Sequence, residues 1–91
     1  MAEGEVKCGV LICGSGIGIS IAANRHNHIR AALCHNAELA ALAREHNNAN
    51  VLVLGARFVN EENAIKCLKT FLNTKFIGDR HQKRVDKLAN Y

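Results

Sequence analysis

The sequence predicts an α/β sandwich built on a parallel sheet, and two observations lead to that fold class. Three short apolar runs rich in Val, Ile and Leu lie at residues 9–13, 29–34 and 51–55, as is typical of strands buried on both faces. Helical patterns alternate with these runs, in the order strand, helix, strand, helix, strand, helix, helix. That order favours parallel strands joined by right-handed crossovers.

Four helices are expected, and their predicted ranges are 17–26, 36–46, 61–74 and 80–89. The second helix is predicted to begin at the cap residue Asn36, and the third opens with Asn60 followed by two glutamates. Asp79 and Gln82 have the spacing of a capping box before the last helix.

The composition is that of one small domain. The chain has 91 residues and no proline, and no linker or repeat divides it, so residues 1–91 are predicted to fold as a single domain. No apolar run approaches the roughly 18 residues that a membrane span needs. The first residues, MAEGEVK, do not have the pattern of a signal peptide. We therefore expect no membrane partner and a cytoplasmic location.

The four cysteines, Cys8, Cys13, Cys34 and Cys67, are expected to be reduced thiols. They lie among apolar segments that lack the turn-rich character of a disulfide scaffold. No two of them have C-x2-C spacing, and the histidines add no ligand pattern beside them, so no metal site is expected.

The formal net charge of +4 raises the question of nucleic-acid binding. The basic residues form no long stripe, however, and few aromatic side chains are available for base stacking. Much of the excess charge lies in the segment DRHQKRVDK, residues 79–87. A local anion site explains this segment better than a duplex-binding face, so no nucleic-acid partner is expected.

A glycine-rich loop, CGSGIG at residues 13–18, follows the first predicted strand. Ligands of open parallel sheets bind beyond the carboxyl ends of strands, and glycines there let backbone N–H groups face an anion or an oxyanion. The spacing G-x-G-x-G departs from the dinucleotide fingerprint, because Ile19 stands where that motif needs glycine or alanine and the later acid is missing. A nucleotide-binding fragment is therefore disfavoured.

Cys13, at the start of this loop, has two interpretations. A helix N-terminus and free N–H donors favour the reactive thiolate form of a cysteine, which makes Cys13 a candidate for chemistry. The alternative is a small buried cysteine that ends a strand, and position alone leaves both open. For Cys8, Cys34 and Cys67 the packing interpretation is favoured.

Two other segments carry candidate site residues. His46 precedes Asn47 at the end of the second predicted helix, and taken alone this pattern favours a helix C-cap. Arg80, His81 and Arg84 lie in the first turns of the last predicted helix, where positive charge opposes the helix dipole. Paired guanidiniums suit a phosphate, so an anion site is favoured over a solvated face.

Four separated motifs together resemble ribose-5-phosphate isomerase type B. They are GVLICGSGIGISIAAN, IRAALC, AREHNNANVLVLGAR and GDRHQKRV, and the likeness extends from about Val6 to Leu88. The related galactose-6-phosphate isomerase subunits share the glycine loop, but the AAN after it and the GDRHQKRV segment are closer to the ribose enzyme. The resemblance implies a Rossmann-like three-layer sandwich, here with about three strands and four helices of a five-stranded family fold.

The resemblance also implies an aldose-ketose isomerase that interconverts ribose 5-phosphate and ribulose 5-phosphate without a metal or an organic cofactor. Cys13 matches the base that moves a proton between C1 and C2, and Ser15 matches a residue that assists the transfer. Gly14, Gly16 and Gly18 match backbone N–H donors to the enediolate oxygen.

The remaining matched positions concern the sugar ring and the phosphate. His46 matches the residue that helps to open the furanose ring, with Asn47 beside it. The positions linked with the substrate phosphate are Arg57, Arg80, His81 and Arg84. In the family, part of this phosphate site reaches across a dimer interface, so a homodimer or higher homo-oligomer is expected.

Members of the family begin with a strand that carries an Asp-His pair, followed by a helix and a second strand, and those elements have no counterpart in this sequence. The chain is therefore expected to correspond to the C-terminal two-thirds of the family domain, with Met1 at an internal position. Because the first strand would form one wall of the crevice, little isomerase activity is expected of the 91 residues alone. The alternative function is a non-catalytic phosphosugar-binding or interaction module.

Overall fold

The chain folds as a parallel three-stranded sheet with helices on both faces, and the computed structural model describes residues 6–78 and 81–88. The elements are, in order, β1 (Gly9–Cys13), α1 (Ile17–Ala23), β2 (Ala31–Leu33), α2 (Ala37–Asn47), β3 (Val51–Gly55), α3 (Glu61–Asn73) and α4 (Gln82–Leu88). The strand order is β1-β3-β2, and both pairings are parallel. The predicted fold class and order of elements are confirmed.

The central strand β3 divides the interior into two layers of packing. All five of its residues are buried, as expected of a strand covered on both faces. The same expectation was wrong for β1 and β2, whose residues are exposed or half-buried because both are outer strands. Leu52 and Leu54 join the main core, whose other buried members are Cys34, Ala40, Ala43, Ala49, Cys67 and Phe71. Val53 and Leu33 face the opposite side, beneath Gly16 at the start of α1. The sheet therefore lies between α1 on one face and the α2 and α3 pair on the other.

This layering follows from the strand order. Because β1 and β2 flank β3, α1 crosses from one edge of the sheet to the other, and α2 then returns the chain to the centre. The two crossovers run in opposite directions, so right-handed connections place α1 and α2 on opposite faces. Because the strands are parallel, all three end at the same side of the sheet, the carboxyl end, where Cys13 and Gly55 lie. The opposite side, where the strands begin, is the amino end.

Side-chain caps set several helix boundaries. The Oδ1 of Asn36 accepts the N–H of Leu39 at 2.8 Å, and the Oδ1 of Asn60 accepts the N–H of Asn63 at the same distance. Both predicted caps are therefore confirmed. The predicted capping box before α4 involves Asp79, which lies outside the described residues.

The first helix and the second strand are shorter than predicted, for identifiable reasons. Asn24 donates from Nδ2 to the carbonyl of Ala31 at 3.0 Å, and its Oδ1 accepts the N–H of Ala31 at 2.7 Å. These bonds turn the chain out of α1 and toward β2. The backbone N–H of Arg30 donates to the Asn50 side chain at 2.7 Å, so ladder pairing begins only at the next residue.

No helix within residues 6–78 and 81–88 has the length and apolar character needed to cross a bilayer.

Candidate functional site

Cys13 ends β1 at the carboxyl end of the sheet, and its side chain is exposed. Its carbonyl accepts the N–H of Ala56 at 2.7 Å, and the carbonyl of Gly14 accepts the N–H of Arg57 at 2.9 Å. These bonds continue the pairing of β1 with β3 beyond the strand ends. The cysteine loop is therefore held in place by the sheet itself.

Two glycines allow the loop to pack closely onto β3. Gly16 has a φ of 78°, and a Cβ there would lie 2.5 Å from Cδ1 of Leu33. At Gly55, a Cβ would lie 2.5 Å from the carbonyl oxygen of Ser15. A side chain at either position would push the loop away from the strand. Gly55 was not among the predicted site residues, although a glycine that ends the apolar run VLVLG is a signal of close backbone approach.

Arg57 places a cation beside this loop. Its Nε lies 3.3 Å from the position that a Cβ on Gly14 would occupy, and its side chain is exposed. The backbone N–H groups of Gly14 and Gly16 donate to no acceptor within residues 6–78 and 81–88, whereas the N–H of Ile17 donates to Oγ of Ser15 at 3.2 Å. The loop thus combines an exposed thiol, two available donors and a guanidinium, a set that suits a negatively charged group.

Gly18 differs from the other loop glycines, because a Cβ at this position would have no atom within 4 Å. It faces open space near the start of α1. Its predicted contact with a ligand is compatible with that exposure, but no packing in the chain requires glycine here.

A second set of predicted residues lies at the amino end of the sheet. His46 and Asn47 end α2, and three residues separate Asn47 from the start of β3. His81 is 6% exposed, and its ring stacks on that of His46 with centroids 4.4 Å apart and an interplanar angle of 17°. Arg84 is exposed on α4, which packs against α2. Arg80 lies outside the described residues.

The predicted site residues therefore form two groups in one chain. We name the first the loop group, and it contains Cys13, Gly14, Ser15, Gly16, Gly18 and Arg57. The second is the helix-end group, and its described members are His46, Asn47, His81 and Arg84. The five residues of β3 separate the groups, a length of about 13 Å. The thiol and the stacked imidazoles are consequently not brought together within a single chain.

One member of the helix-end group, Asn47, lines a groove of about 700 Å³. Asn47, Arg30, Val85 and Leu88 contribute to its lining. The C-cap after Asn47 is Asn48, in the left-handed conformation with φ 47° and ψ 43°, which confirms that the asparagine segment ends the helix. His46 therefore belongs to a helix terminus as well as to the predicted site.

The other cysteines lie apart from both groups. Burial raises the pKa of the Cys34 thiol to about 11, with a further contribution from nearby Cys67, and burial also raises the pKa of Cys67. Their predicted packing role is confirmed. Cys8 is exposed instead, because it precedes β1 at the border of the sheet. No three His, Cys, Asp or Glu side chains of the described segments converge as metal ligands.

Comparison with known proteins points to one family. The family model described as ribose/galactose isomerase matches residues 1–88. Ribose-5-phosphate isomerase B of Escherichia coli is 47% identical over 89 residues, which cover 98% of this chain and 60% of that protein.

Solved structures agree with this comparison. A ribose 5-phosphate isomerase from Thermotoga maritima has a TM-score of 0.96 and 49% identity, over 99% of this chain and 62% of that one. Ribose-5-phosphate isomerase B from Mycoplasma genitalium, solved with bound ribulose 5-phosphate, has a TM-score of 0.88 and 49% identity, over 92% of this chain and 55% of that one. The chain thus spans 55% to 62% of the length of these relatives.

Proposed function

Because this chain belongs to the ribose/galactose isomerase family, we propose that it forms part of an aldose-ketose isomerase that interconverts ribose 5-phosphate and ribulose 5-phosphate. The relatives named above carry that activity in their names, and one of them was solved with ribulose 5-phosphate. We place the protein in the cytoplasm, where its four free thiols would stay reduced.

The observation that carries this proposal is the geometry of the loop group. An exposed thiol stands at the carboxyl end of β1, beside two available backbone N–H groups and the Arg57 guanidinium. An isomerase of this type needs a base at C1 and C2 and donors that stabilise the negative oxygen of an enediolate. The loop supplies both within a few residues.

The proposed reaction is a proton transfer that needs no redox partner. The Cys13 thiolate removes the proton from C2 of open-chain ribose 5-phosphate, which leaves an enediol or enediolate across C1 and C2. The same thiol then returns a proton to C1, and a proton moves between the two oxygens with help from Ser15. His46 assists opening of the furanose ring, and Asn47 holds the sugar beside it. Atoms and electrons balance, since substrate and product are isomers.

We further propose that two copies of the chain build one complete site. The two groups of predicted residues lie at opposite ends of the same sheet, separated by the length of β3, which is about 13 Å. A homodimer that brings the loop group of one copy to the helix-end group of the other would place the thiol, the imidazoles and the guanidiniums around one sugar phosphate. Arg57 would then contact the ligand from the loop side, and Arg80, His81 and Arg84 would hold the phosphate.

The experiment that tests the reaction is incorporation of solvent deuterium into ribose 5-phosphate or ribulose 5-phosphate, followed by NMR. This assay detects slow turnover, which matters because little activity is expected of the chain alone. Cys13→Ala should lower the exchange rate by about 100-fold or more, the contribution of a general base. The matched control is Cys8→Ala, which removes the other exposed thiol. Equal rates for the two variants would contradict the assignment of the base.

Phosphate recognition is tested separately from chemistry. Arg84→Ala should weaken binding of ribose 5-phosphate by about 1.5 to 3 kcal/mol, the range for a hydrogen bond to a charged group. Lys83→Ala is the control, since it removes a neighbouring exposed cation from the same helix. Binding of sugar phosphate without any deuterium exchange would instead favour the alternative function, a non-catalytic phosphosugar-binding module.

The shared site is tested by mixing two inactive variants. Cys13→Ala lacks the base of the loop group, and His46→Ala lacks a ring of the helix-end group. In a mixed dimer one of the two sites would retain every predicted residue, so the mixture should regain exchange activity that neither variant shows alone. No recovery in a mixture shown to contain mixed dimers would contradict the two-copy site.

A further inference from the structure

We propose that Arg44 is the positioning residue of the helix-end group, and that the stacking of His46 on His81 depends on its guanidinium. The inference rests on the proposed function only in assigning that group to the sugar phosphate. The contacts of Arg44 stand independently of that function.

Arg44 links the turn that follows α2 to the end of α3, which lies about 30 residues further along the chain. Its Nη1 donates to the carbonyl of Ala49 at 2.6 Å and to Oδ1 of Asn48 at 2.8 Å. Its Nε donates to the carbonyl of Thr74 at 3.1 Å. The guanidinium also lies 5.8 Å from the ring centroid of the buried Phe71, within reach of a cation–π attraction. The Arg44 guanidinium therefore connects the end of α2, the loop between α2 and β3, and the end of α3.

These bonds determine where the two histidines meet. The bonds to Asn48 and Ala49 hold the turn that immediately follows His46. The bond to Thr74 holds the beginning of the segment that leads from α3 to α4. A second bond holds that segment against α2, because the N–H of Ile77 donates to the carbonyl of Glu45 at 3.0 Å. His81 follows four residues later and stacks on His46.

A guanidinium suits the binding of these carbonyl groups better than an ammonium. Carbonyls at a helix C-terminus carry partial negative charge that attracts a cation, and the planar fork of arginine can donate in two fixed directions at once. Arg30 reinforces the arrangement from the other side, because its Nε donates to the carbonyl of Asn48 at 2.9 Å. Burial, and to a smaller extent the charge of nearby Arg44, lower the pKa of Arg30.

The test uses the full 91-residue chain labelled with 13C in its five histidines. The ring protons of His46 and His81 should show a mutual NOE, since the centroids are 4.4 Å apart. His81→Ala supplies the reference shifts of an unstacked His46 ring. Arg44→Lys keeps the charge but loses the fork, and Arg25→Lys is the matched control on an exposed arginine.

The expected result is that Arg44→Lys abolishes the NOE and moves the His46 shifts to those of His81→Ala. Arg25→Lys should leave the stack intact. A folded Arg44→Lys variant that keeps the NOE and the original His46 shifts would overturn the proposal, since a residue with only a stabilising role could be replaced without moving this signature.

Two further measurements complete the test. In the unaltered chain the Nε–H of Arg44 should exchange slowly with water because it is bonded to Thr74, and fast exchange would overturn the proposal even if the lysine variant did not fold. Inorganic phosphate should bind about threefold to tenfold more weakly to Arg44→Lys, an effect the size of one lost hydrogen bond. If Arg44→Lys loses the histidine stack but the unaltered chain does not bind phosphate either, the proposed function would be refuted. The positioning role of Arg44 would still be established.

Discussion

At the scale of single residues, the four cysteines show how position in the fold separates an exposed thiol from a buried, structural one. Cys34 and Cys67 are 1% and 0% exposed and sit in the main core. Cys8 and Cys13 are both exposed, but only Cys13 adjoins the glycine loop with its available N–H donors. Chemical context therefore distinguishes the two exposed thiols, and burial distinguishes the other pair.

We expect Cys13 to be alkylated by iodoacetamide faster than any other cysteine of the chain. The N–H groups of the loop stabilise negative charge beside it, and Cys8 lacks that environment. Rates mapped for each cysteine by mass spectrometry check this order. Faster labelling of Cys34 or Cys67 in the folded chain would remove the physical support for Cys13 as the base.

The pKa of Cys34, raised by burial to about 11 from an ordinary 9.0, predicts a loss of stability in alkali. A raised pKa means that the folded state favours the neutral thiol, so the stabilisation is complete below about pH 9 and disappears as the pH rises toward 11. Urea unfolding at about pH 8 and about pH 10.5 should therefore show a fall in unfolding free energy that is smaller in Cys34→Ala. In the Cys8→Ala control, the unfolding free energy should fall between the two pH values by as much as in the unaltered chain.

At the scale of elements, the turn from β1 into α1 depends on two glycines with different roles. Gly16 adopts a positive φ and lies directly against Leu33 and Val53. Gly18 lies in the first turn of α1 and faces open space. The two positions look alike in the sequence and differ only in what surrounds them.

This difference predicts opposite effects of the same substitution. Gly16→Ala should lower the unfolding free energy by about 1 to 3 kcal/mol, from backbone strain and overpacking against Leu33. Gly18→Ala should be neutral or should stabilise the chain by up to about 1 kcal/mol, because alanine is the better helix former. Urea denaturation measures the unfolding free energy of both variants. Similar decreases in the two would show that the loop is not packed as described.

At the scale of the whole molecule, β1 is an outer strand with apolar side chains left uncovered. Val10 and Ile12 pair in register with the buried Leu52 and Leu54, yet they are 39% and 65% exposed. The free side of β1 also presents backbone groups that no strand of the described sheet pairs. Such an edge favours association with another strand.

We therefore expect the 91-residue chain to self-associate through this edge or to be only marginally folded, with little isomerase activity. Light scattering and urea unfolding check the first part, and an assay of ribulose 5-phosphate formation checks the second. Ile12→Lys should reduce association, because a charge on an edge strand opposes pairing. A stable, monodisperse monomer with the turnover of a complete enzyme would contradict this account.

Local patterns were enough to predict the strands, the four helices and the caps at Asn36 and Asn60, because those features depend on residues close together in the chain. The same holds for the cysteine loop, whose place after a strand follows from the run GVLIC and the glycines behind it. Family resemblance then supplied the roles proposed for individual residues, which no local pattern could assign.

Only the tertiary structure decided how those residues are distributed in space. The family resemblance assigns Cys13 and His46 to one site, whereas the sheet puts them at opposite ends, because α2 runs back along the parallel strands before β3 begins. Likewise, nothing near Arg44 in the sequence indicates its bond to Thr74, 30 residues away. Contacts of that kind arise from the packing of α2 against α3 in the same layer, and packing depends on the whole chain at once.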